Sequence, residues 1–167
     1  SEIVMGVAHL DNMPSGSVAP GADDNASGVA GLLAAAGALT KSSYERTVCL
    51  FICTGDEQGG YGSLAYADLA ATRGDNIVGV LNLDMIAWDG GGAPDLRLHT
   101  RTSGNPGYAG DRAIAAMFTN VVASYMPGRL TPIITADGED ASDHDSFWRE
   151  GYAAILAIED DYDDFNP

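Results

Sequence analysis

The stretch SVAPGADDNASGVAGLLAAAGAL, residues 17–39, contains a loop followed by a strongly apolar segment. Its larger apolar side chains recur at i, i+3, i+4 and i+7, the spacing of one helical face: Val29, Leu32, Leu33 and Ala36. We therefore predict a helix over residues 27–39. Two aspartates, Asp23 and Asp24, stand just before this helix, where carboxylates are unexpected beside so many small apolar residues.

Apolar segments flank this helix on both sides, and the alternation of segment types continues along the chain. Strands are predicted over 2–9, 46–54, 76–84, 95–100 and 152–159, and an extended piece is predicted over 130–135. Helices are predicted over 27–39, 62–72, 106–125 and 143–150. Strands that alternate with helices indicate an α/β fold with three layers, in which helices cover both faces of a mostly parallel sheet.

Composition limits the classes of partner. The chain has 167 residues, 46% of them hydrophobic and 19% charged, which suits one globular domain. A net charge of −16 argues against nucleic acid and anionic membranes as partners. No apolar run approaches the ~18 residues that cross a bilayer. The acidic composition, with Lys41 as the single lysine, favours a secreted or periplasmic protein, and the oligomeric state stays open.

Groups able to bind a metal follow the first three predicted strands and open the first helix: His9, Asp11, Asp56, Glu57, Asp84, Asp23 and Asp24. In open α/β sheets, the carboxyl ends of strands carry the functional groups. Histidine and carboxylates suit zinc, and several carboxylates suit a pair of ions bridged by one of them. A bridging aspartate gains a fixed backbone and a favourable dipole at a helix start, whereas the alternative for the aspartate pair is ordinary N-capping.

Five segments together resemble metallopeptidase family 28, which includes bacterial leucyl-type aminopeptidases: AHLD, PGADDNASGVA, EQGGYGS, LNLDMI and SDHDSFW. The resemblance runs in order over nearly the whole chain. It implies the zinc aminopeptidase fold, a three-layer sandwich of the phosphorylase/hydrolase-like type. It also implies one metallopeptidase catalytic domain over residues 1–167, truncated at both ends relative to the family. Two zinc ions per active site are expected, with one ion in this chain as the alternative.

The resemblance also assigns roles to individual residues. The metal ligands would be His9, Asp24, Glu57 and Asp84. Asp24 resembles the bridging aspartate, and Asp11 resembles the carboxylate that orients the histidine ligand. Asp56 stands where the family has a glutamate as general base. Aspartate is one methylene shorter, and a misplacement of ~1 Å can lower a rate about a hundredfold.

The family's last metal ligand is a histidine that would follow the sequence DDFNP, where this chain stops. His144, a water molecule or a residue of another chain is therefore expected to complete the second metal site. Asp143 and His144 resemble a family segment that lines the site, usually without binding metal. His99 has no family counterpart and is expected at the surface or in packing.

The expected activity is hydrolysis of the N-terminal peptide bond of peptides or proteins by a hydroxide bound to two zinc ions. An apolar substrate pocket would be formed by Met85, Ile158, Tyr162 and Phe165. One alternative is a glutaminyl cyclase-like acyltransferase with one zinc ion. The other is a non-catalytic binding domain of the same fold, which the change at Asp56 and the missing histidine would suit.

Overall fold

A computed structural model describes residues 1–14, 16–88, 90–91 and 94–159. The strands are β1 (Ile3–His9), β2 (Thr47–Cys53), β3 (Ile77–Leu83), β4 (Asp95–His99), β5 (Thr131–Thr135) and β6 (Ala154–Ile158). The helices are α1 (Ala26–Leu39), α2 (Tyr61–Arg73), α3 (Tyr108–Tyr125) and α4 (His144–Arg149). Each predicted segment is present, and the largest shift of an end is two residues.

The six strands form one sheet in the order β2-β1-β3-β6-β4-β5. Strands β2, β1, β3 and β6 run parallel to one another, and β4 and β5 are parallel to each other. The pairing of β4 with β6 is antiparallel. The prediction of an α/β fold with a mostly parallel sheet is therefore confirmed, with one direction change between β6 and β4.

Alternate residues of β1 face two different helical layers, as the pleat of a strand requires. Met5 and Val7 pack with Phe147 of α4 in a core cluster that also includes residues of α2. Gly6 faces the opposite side, where a Cβ atom would lie 2.7 Å from Leu32 of α1. Helices α2 and α4 therefore cover one face of the sheet, and α1 covers the other.

Helix α3 lies on the same face as α1. Leu83 of β3 packs against the core clusters of both helices, and Ile114 of α3 lies over Gly79 of β3. The three layers expected from the sequence are thus present. With 18 residues, α3 is the longest helix, and none of the helices described is both long enough and apolar enough to cross a membrane.

The carboxyl ends of four parallel strands meet at one edge of the sheet. The register pairs His9 with Cys53 and Leu83 with Ala157, so β1, β2, β3 and β6 end at similar heights. The connections that leave β1, β2 and β3 therefore begin side by side. These connections carry the acids singled out in the sequence.

Candidate metal centre

His9, Asp24 and Asp84 form a compact cluster at this edge of the sheet. His9 ends β1 and is 1% exposed. Its Nε2 atom lies 3.3 Å from Asp24 Oδ1 and 3.3 Å from Asp84 Oδ1. One ligand atom from each of the three residues lies within 4.8 Å of the other two. Three segments that are distant in sequence therefore direct an imidazole and two carboxylates at one point.

The hydrogen bonds around the cluster leave His9 Nε2 and Asp84 Oδ1 available to a cation. His9 Nδ1 lies 2.9 Å from the Asp11 carbonyl oxygen, so Nδ1 carries the proton and Nε2 faces the two acids. Asp84 Oδ2 accepts a hydrogen bond from Ser142. Asp84 Oδ1 is buried and has no hydrogen-bond partner among the described residues. Since a buried carboxylate oxygen without a partner is costly, this donor set fits zinc or a similar divalent ion.

Asp11 acts on the cluster in a way that differs from the expectation. The contact that orients His9 is made by the Asp11 backbone carbonyl, while the carboxylate oxygen Oδ1 lies 3.6 Å from His9 Nδ1. The carboxylate instead accepts hydrogen bonds of 3.3 Å from the backbone N–H groups of Asp56 and Glu57. Partial burial alone would raise the pKa of Asp11, but these hydrogen bonds lower it. Asp11 thus fixes the turn that carries the next two acids.

The Asp56 carboxylate lies close to the cluster. Its Oδ2 atom lies 3.8 Å from His9 Nε2. Burial, followed by the negative charge of Asp143, raises the pKa of Asp56 to about 7. A carboxyl group with a pKa near neutrality can both accept and release a proton under ordinary conditions, which is the requirement for a general base.

Glu57 lines the same pocket as Asp24 and Asp84 but lies outside the compact cluster formed with His9. Its Oε1 atom is buried, and no described group donates a hydrogen bond to it. Burial and the charge of Asp24 raise the pKa of Glu57. A buried carboxylate oxygen without a hydrogen-bond donor and a raised pKa are properties that suit a group able to bind a cation beside Asp24.

Asn25 joins the start of α1 to the end of β3, a role that was not predicted from the sequence. Its side chain caps the helix by accepting a hydrogen bond from Gly28 N–H at 2.9 Å. The same oxygen accepts from Met85 N–H, and the Nδ2 group donates to the Leu83 carbonyl at 2.8 Å. The segments that carry Asp24 and Asp84 are therefore held together by one side chain. The signal available in the sequence was an asparagine directly before an apolar helix.

Asp23 and Asp24, which directly precede the N-cap of α1, make different contacts. Asp24 contacts His9, whereas Asp23 Oδ1 accepts a hydrogen bond of 3.0 Å from Ala87 N–H. The N-cap residue is Asn25, so neither aspartate caps the helix. N-capping, the alternative considered for this pair, does not explain their presence.

Ser142 positions Asp84, and this link was also missed. Its hydroxyl donates to Asp84 Oδ2 at 2.7 Å and accepts from Asn82 Nδ2 at 2.6 Å. All three side chains are buried. This chain of hydrogen bonds occupies one oxygen of Asp84 and leaves the other directed at His9.

Asp143 and His144 lie behind the cluster. Asp143 accepts a hydrogen bond of 3.0 Å from the buried Cys53 thiol. His144 Nε2 donates to the Glu139 carbonyl at 2.7 Å, and its ring packs edge-on against Trp148. Burial lowers the pKa of His144 to about 4, so this histidine is neutral at pH 7. His144 lies outside the compact cluster of His9, Asp24 and Asp84, and its buried Nδ1 atom has no hydrogen-bond partner among the described residues.

A pocket of about 320 Å³ opens beside the cluster. It is lined by Asp24, Asp56, Glu57, Asp84, Met85, Arg97, His99, Asp137, Glu139, Ala141, Ser142, Leu156 and Ile158. Met85 and Ile158 were expected here, while Tyr162 and Phe165 lie outside the described residues. His99 was expected at the surface or in packing; it is buried and lines this pocket opposite Leu156 of β6.

The stability of the chain after chelation is expected to fall as pH rises above neutrality. Burial alone would lower the pKa of His9, but contacts with Asp24 and Asp84 raise it to about 11. A folded-state pKa above the ordinary value of 6.5 gives stability that is complete below about pH 6.5 and is lost towards pH 11. Urea unfolding between about pH 7.5 and 10 should show this slope, and the His9→Gln variant should show a smaller one. Equal slopes of stability against pH in the parent chain and in His9→Gln would contradict the raised pKa of His9.

Comparison with known families agrees with this geometry. The model of the family described as Peptidase family M28 matches residues 1–166. A probable leucine aminopeptidase of Arthroderma benhamiae is 29% identical over the whole chain, which corresponds to 45% of that relative. A probable zinc metalloprotease of Pyrenophora tritici-repentis is 29% identical over 86% of the chain and 35% of its own length. The chain thus spans less than half the length of these relatives.

Solved structures share the fold. The LapA aminopeptidase of Legionella pneumophila superposes with a TM-score of 0.82 at 24% identity, covering 99% of this chain and 42% of that protein. At this identity the likeness concerns the fold alone. The match of the family model over nearly the whole sequence confirms the resemblance drawn from the five sequence segments, and the chain therefore belongs to peptidase family M28.

Proposed function

We propose that this chain carries the catalytic centre of a zinc-dependent aminopeptidase. The observation that carries the proposal is the cluster of His9, Asp24 and Asp84, with a buried Asp84 oxygen that lacks a hydrogen-bond partner among the described residues. Membership of family M28 and the names of the relatives, a leucine aminopeptidase and a zinc metalloprotease, support the choice of activity and metal.

The residues divide into ligands of two ions. His9 and Asp84 would hold the first ion and Glu57 the second, with Asp24 between them as the bridging carboxylate. Glu57 supports this division because its buried Oε1 atom faces no hydrogen-bond donor in the described part of the chain. When bound, zinc acidifies water and polarises the carbonyl of the peptide bond to be cleaved.

Asp56 would move the proton. Its Oδ2 atom takes a proton from the attacking water and transfers it to the nitrogen of the leaving peptide. In the chain without metal, burial and the charge of Asp143 raise the pKa of Asp56 to about 7, which favours uptake of a proton by this carboxylate. Peptide N-termini are the proposed substrates, and Met85, Leu156 and Ile158 offer apolar contacts in the pocket.

Replacing Ser142 by alanine is expected to weaken zinc binding about 10- to 100-fold without unfolding the chain. The change removes the hydrogen bond that turns Asp84 Oδ1 towards His9. Zinc affinity can be measured by competition with a chromogenic chelator. Ser146→Ala is the matched control, since this buried serine bonds to Ser63 instead of a proposed ligand. Equal affinity in both variants would contradict the positioning role.

The test of the proposed function combines metal content with product analysis. After zinc loading and dialysis, native mass spectrometry counts the ions per chain, and a leucine anilide assay measures turnover with and without chelator. Two ions and chelator-sensitive release of leucine would support the proposal, and His9→Gln should lose both properties. Formation of pyroglutamate from a glutaminyl peptide, without release of an amino acid, would favour the cyclase. Metal binding without either reaction would favour a binding domain.

A further inference from the structure

A buried histidine with no part in the proposed reaction lies in the pocket beside the metal cluster. His99 is the last residue of β4, is 6% exposed and lines this pocket. Leu96 and Leu98 of the same strand pack in the core cluster beneath α3, so His99 projects from the opposite face of the sheet. The pairing of β4 with β6 sets it opposite Leu156, which also lines the pocket. A polar ring therefore stands beside an apolar wall.

The carboxylate of Asp137 fixes the ring of His99. His99 Nδ1 lies 3.1 Å from Asp137 Oδ1 and 3.0 Å from Oδ2. Asp137 Oδ1 also accepts a hydrogen bond of 3.2 Å from the Glu139 N–H group. Partial burial alone would raise the pKa of Asp137, but the hydrogen bonds from His99 and Glu139 N–H lower it. Asp137 is therefore an anion, and the His99 proton that it accepts is on Nδ1.

The second ring nitrogen of His99 is left to a ligand. When the proton of a neutral imidazole is on Nδ1, Nε2 carries a lone pair and accepts hydrogen bonds. Within the described part of the chain, no group donates a hydrogen bond to His99 Nε2, whereas Arg97 and Glu139 in the same pocket have partners of their own. An acceptor without a donor on so buried a side chain is costly, and a ligand that brings a donor removes this cost.

We propose that His99 is a specificity-determining residue whose Nε2 accepts a hydrogen bond from the side chain of the N-terminal residue of the substrate. This inference rests on the proposed function, in which that residue occupies the pocket. Met85, Leu156 and Ile158 would contact the aliphatic part of its side chain, and His99 the tip. A side chain that ends in an N–H donor should be preferred to an apolar one of the same shape, since the apolar analogue leaves Nε2 unpaired.

The donor has two sources among N-terminal residues. One is a neutral amide, as in asparagine, and the other is an ammonium group, as in lysine. Both satisfy the lone pair of His99 Nε2. The carboxylates that line the pocket would attract the ammonium group in addition.

The kinetic test compares anilides that differ mainly in the donor. Asparaginyl and leucyl anilides report the amide, and lysyl and norleucyl anilides report the ammonium group. His99→Asn keeps a donor for Asp137 in the place of Nδ1 but removes the nitrogen that faces the pocket. It should lower kcat/KM about fivefold or more for the donor-bearing member of one pair and less than about twofold for its apolar partner. Equal changes within both pairs would overturn the proposal.

Two further variants separate this contact from a structural effect. The amide of His99→Gln reaches the place of Nε2, so this variant should recover part of the preference that His99→Asn loses. Thr131→Val is the matched control, because Thr131 is exposed at the start of β5, the strand beside β4. It should leave kcat/KM for all four anilides within about twofold of the parent values. Loss of the preference in Thr131→Val as well would overturn the role of His99.

An NMR measurement separates this inference from the proposed activity. The chain has three histidines, and ¹⁵N shifts of their rings in the zinc-loaded chain at pH 8 report which nitrogens carry a proton. His99→Asn assigns the His99 signals. Nε2 should be unprotonated, and its signal should shift with asparaginamide or lysinamide but little with leucinamide or norleucinamide. This response in a chain without peptidase activity would keep the contact and reject the proposed function. A proton on Nε2 before ligand is added, or equal shifts with all four amides, would overturn the proposal.

Discussion

Replacing Asp56 by asparagine is expected to lower kcat/KM for a leucine anilide by about 10²- to 10⁴-fold, the usual contribution of a general base. Asparagine keeps the shape of the side chain but cannot accept a proton. The Asp56→Glu variant should retain more activity than Asp56→Asn, since it restores a carboxylate, with the length found in the family. If Asp56→Asn keeps kcat/KM within about tenfold of the parent value, Asp56 is not the general base.

The same substitution should not weaken the fold, which separates a catalytic effect from an unfolding one. The pKa of Asp56 is raised to about 7 from 3.8, so its charged form is disfavoured in the folded chain. Stability from this group is complete below about pH 3.8 and is lost as pH rises to about 7. A neutral asparagine avoids that loss. Thermal unfolding at pH 8 should therefore show an unchanged or higher Tm for Asp56→Asn after chelation.

Replacing Asp111 by alanine is expected to cost about 3–5 kcal/mol of the free energy of unfolding. Asp111 is fully buried at the start of α3 and receives two hydrogen bonds of 2.7 Å from the Arg101 guanidinium. It also accepts from the Ala154 N–H group on β6. Loss of the carboxylate leaves the buried Arg101 charge uncompensated. A domain of this size is stable by about 5–15 kcal/mol, so the change removes much of the total.

Asp145→Ala is the control for that prediction. Asp145 pairs with Arg149 one helical turn away, and the arginine side chain is 60% exposed. An exposed pair of this kind contributes about 0–1 kcal/mol. Urea unfolding of both variants at the same pH should show a large fall in the midpoint for Asp111→Ala and a small one for Asp145→Ala. Similar midpoints would show that the buried Arg101–Asp111 pair stabilises the fold no more than the exposed Asp145–Arg149 pair does.

The sequence predicted the elements and the acids well, for a physical reason. Buried parallel strands need continuous apolar runs, and these runs ended at His9, Asp56 and Asp84 or close to them. Since parallel strands share one carboxyl edge, the residues after them had to meet. The gathering of His9, Asp24 and Asp84 could therefore be predicted without knowing any distance.

The placement of Arg97 and His99 beside the pocket could not be predicted in the same way. Whether Arg97 and His99 face a pocket or solvent depends on the direction and position of β4, and these are set by pairing with β6, more than fifty residues later. Local alternation in DLRLH is the same for either direction. The roles within the SDH segment were hidden too, because Ser142 and His144 are distinguished by the groups they contact rather than by their spacing.

The three hydrogen bonds of Asn25 have a further consequence for the thermodynamics of metal capture. They hold the backbone beside Asp24 and Asp84 together through a single rigid amide, 1% exposed. An arriving ion then meets donors that are already gathered, so little chain entropy is lost on binding. Titration calorimetry should accordingly give a small heat-capacity change, as for a preorganised receptor rather than a folding transition.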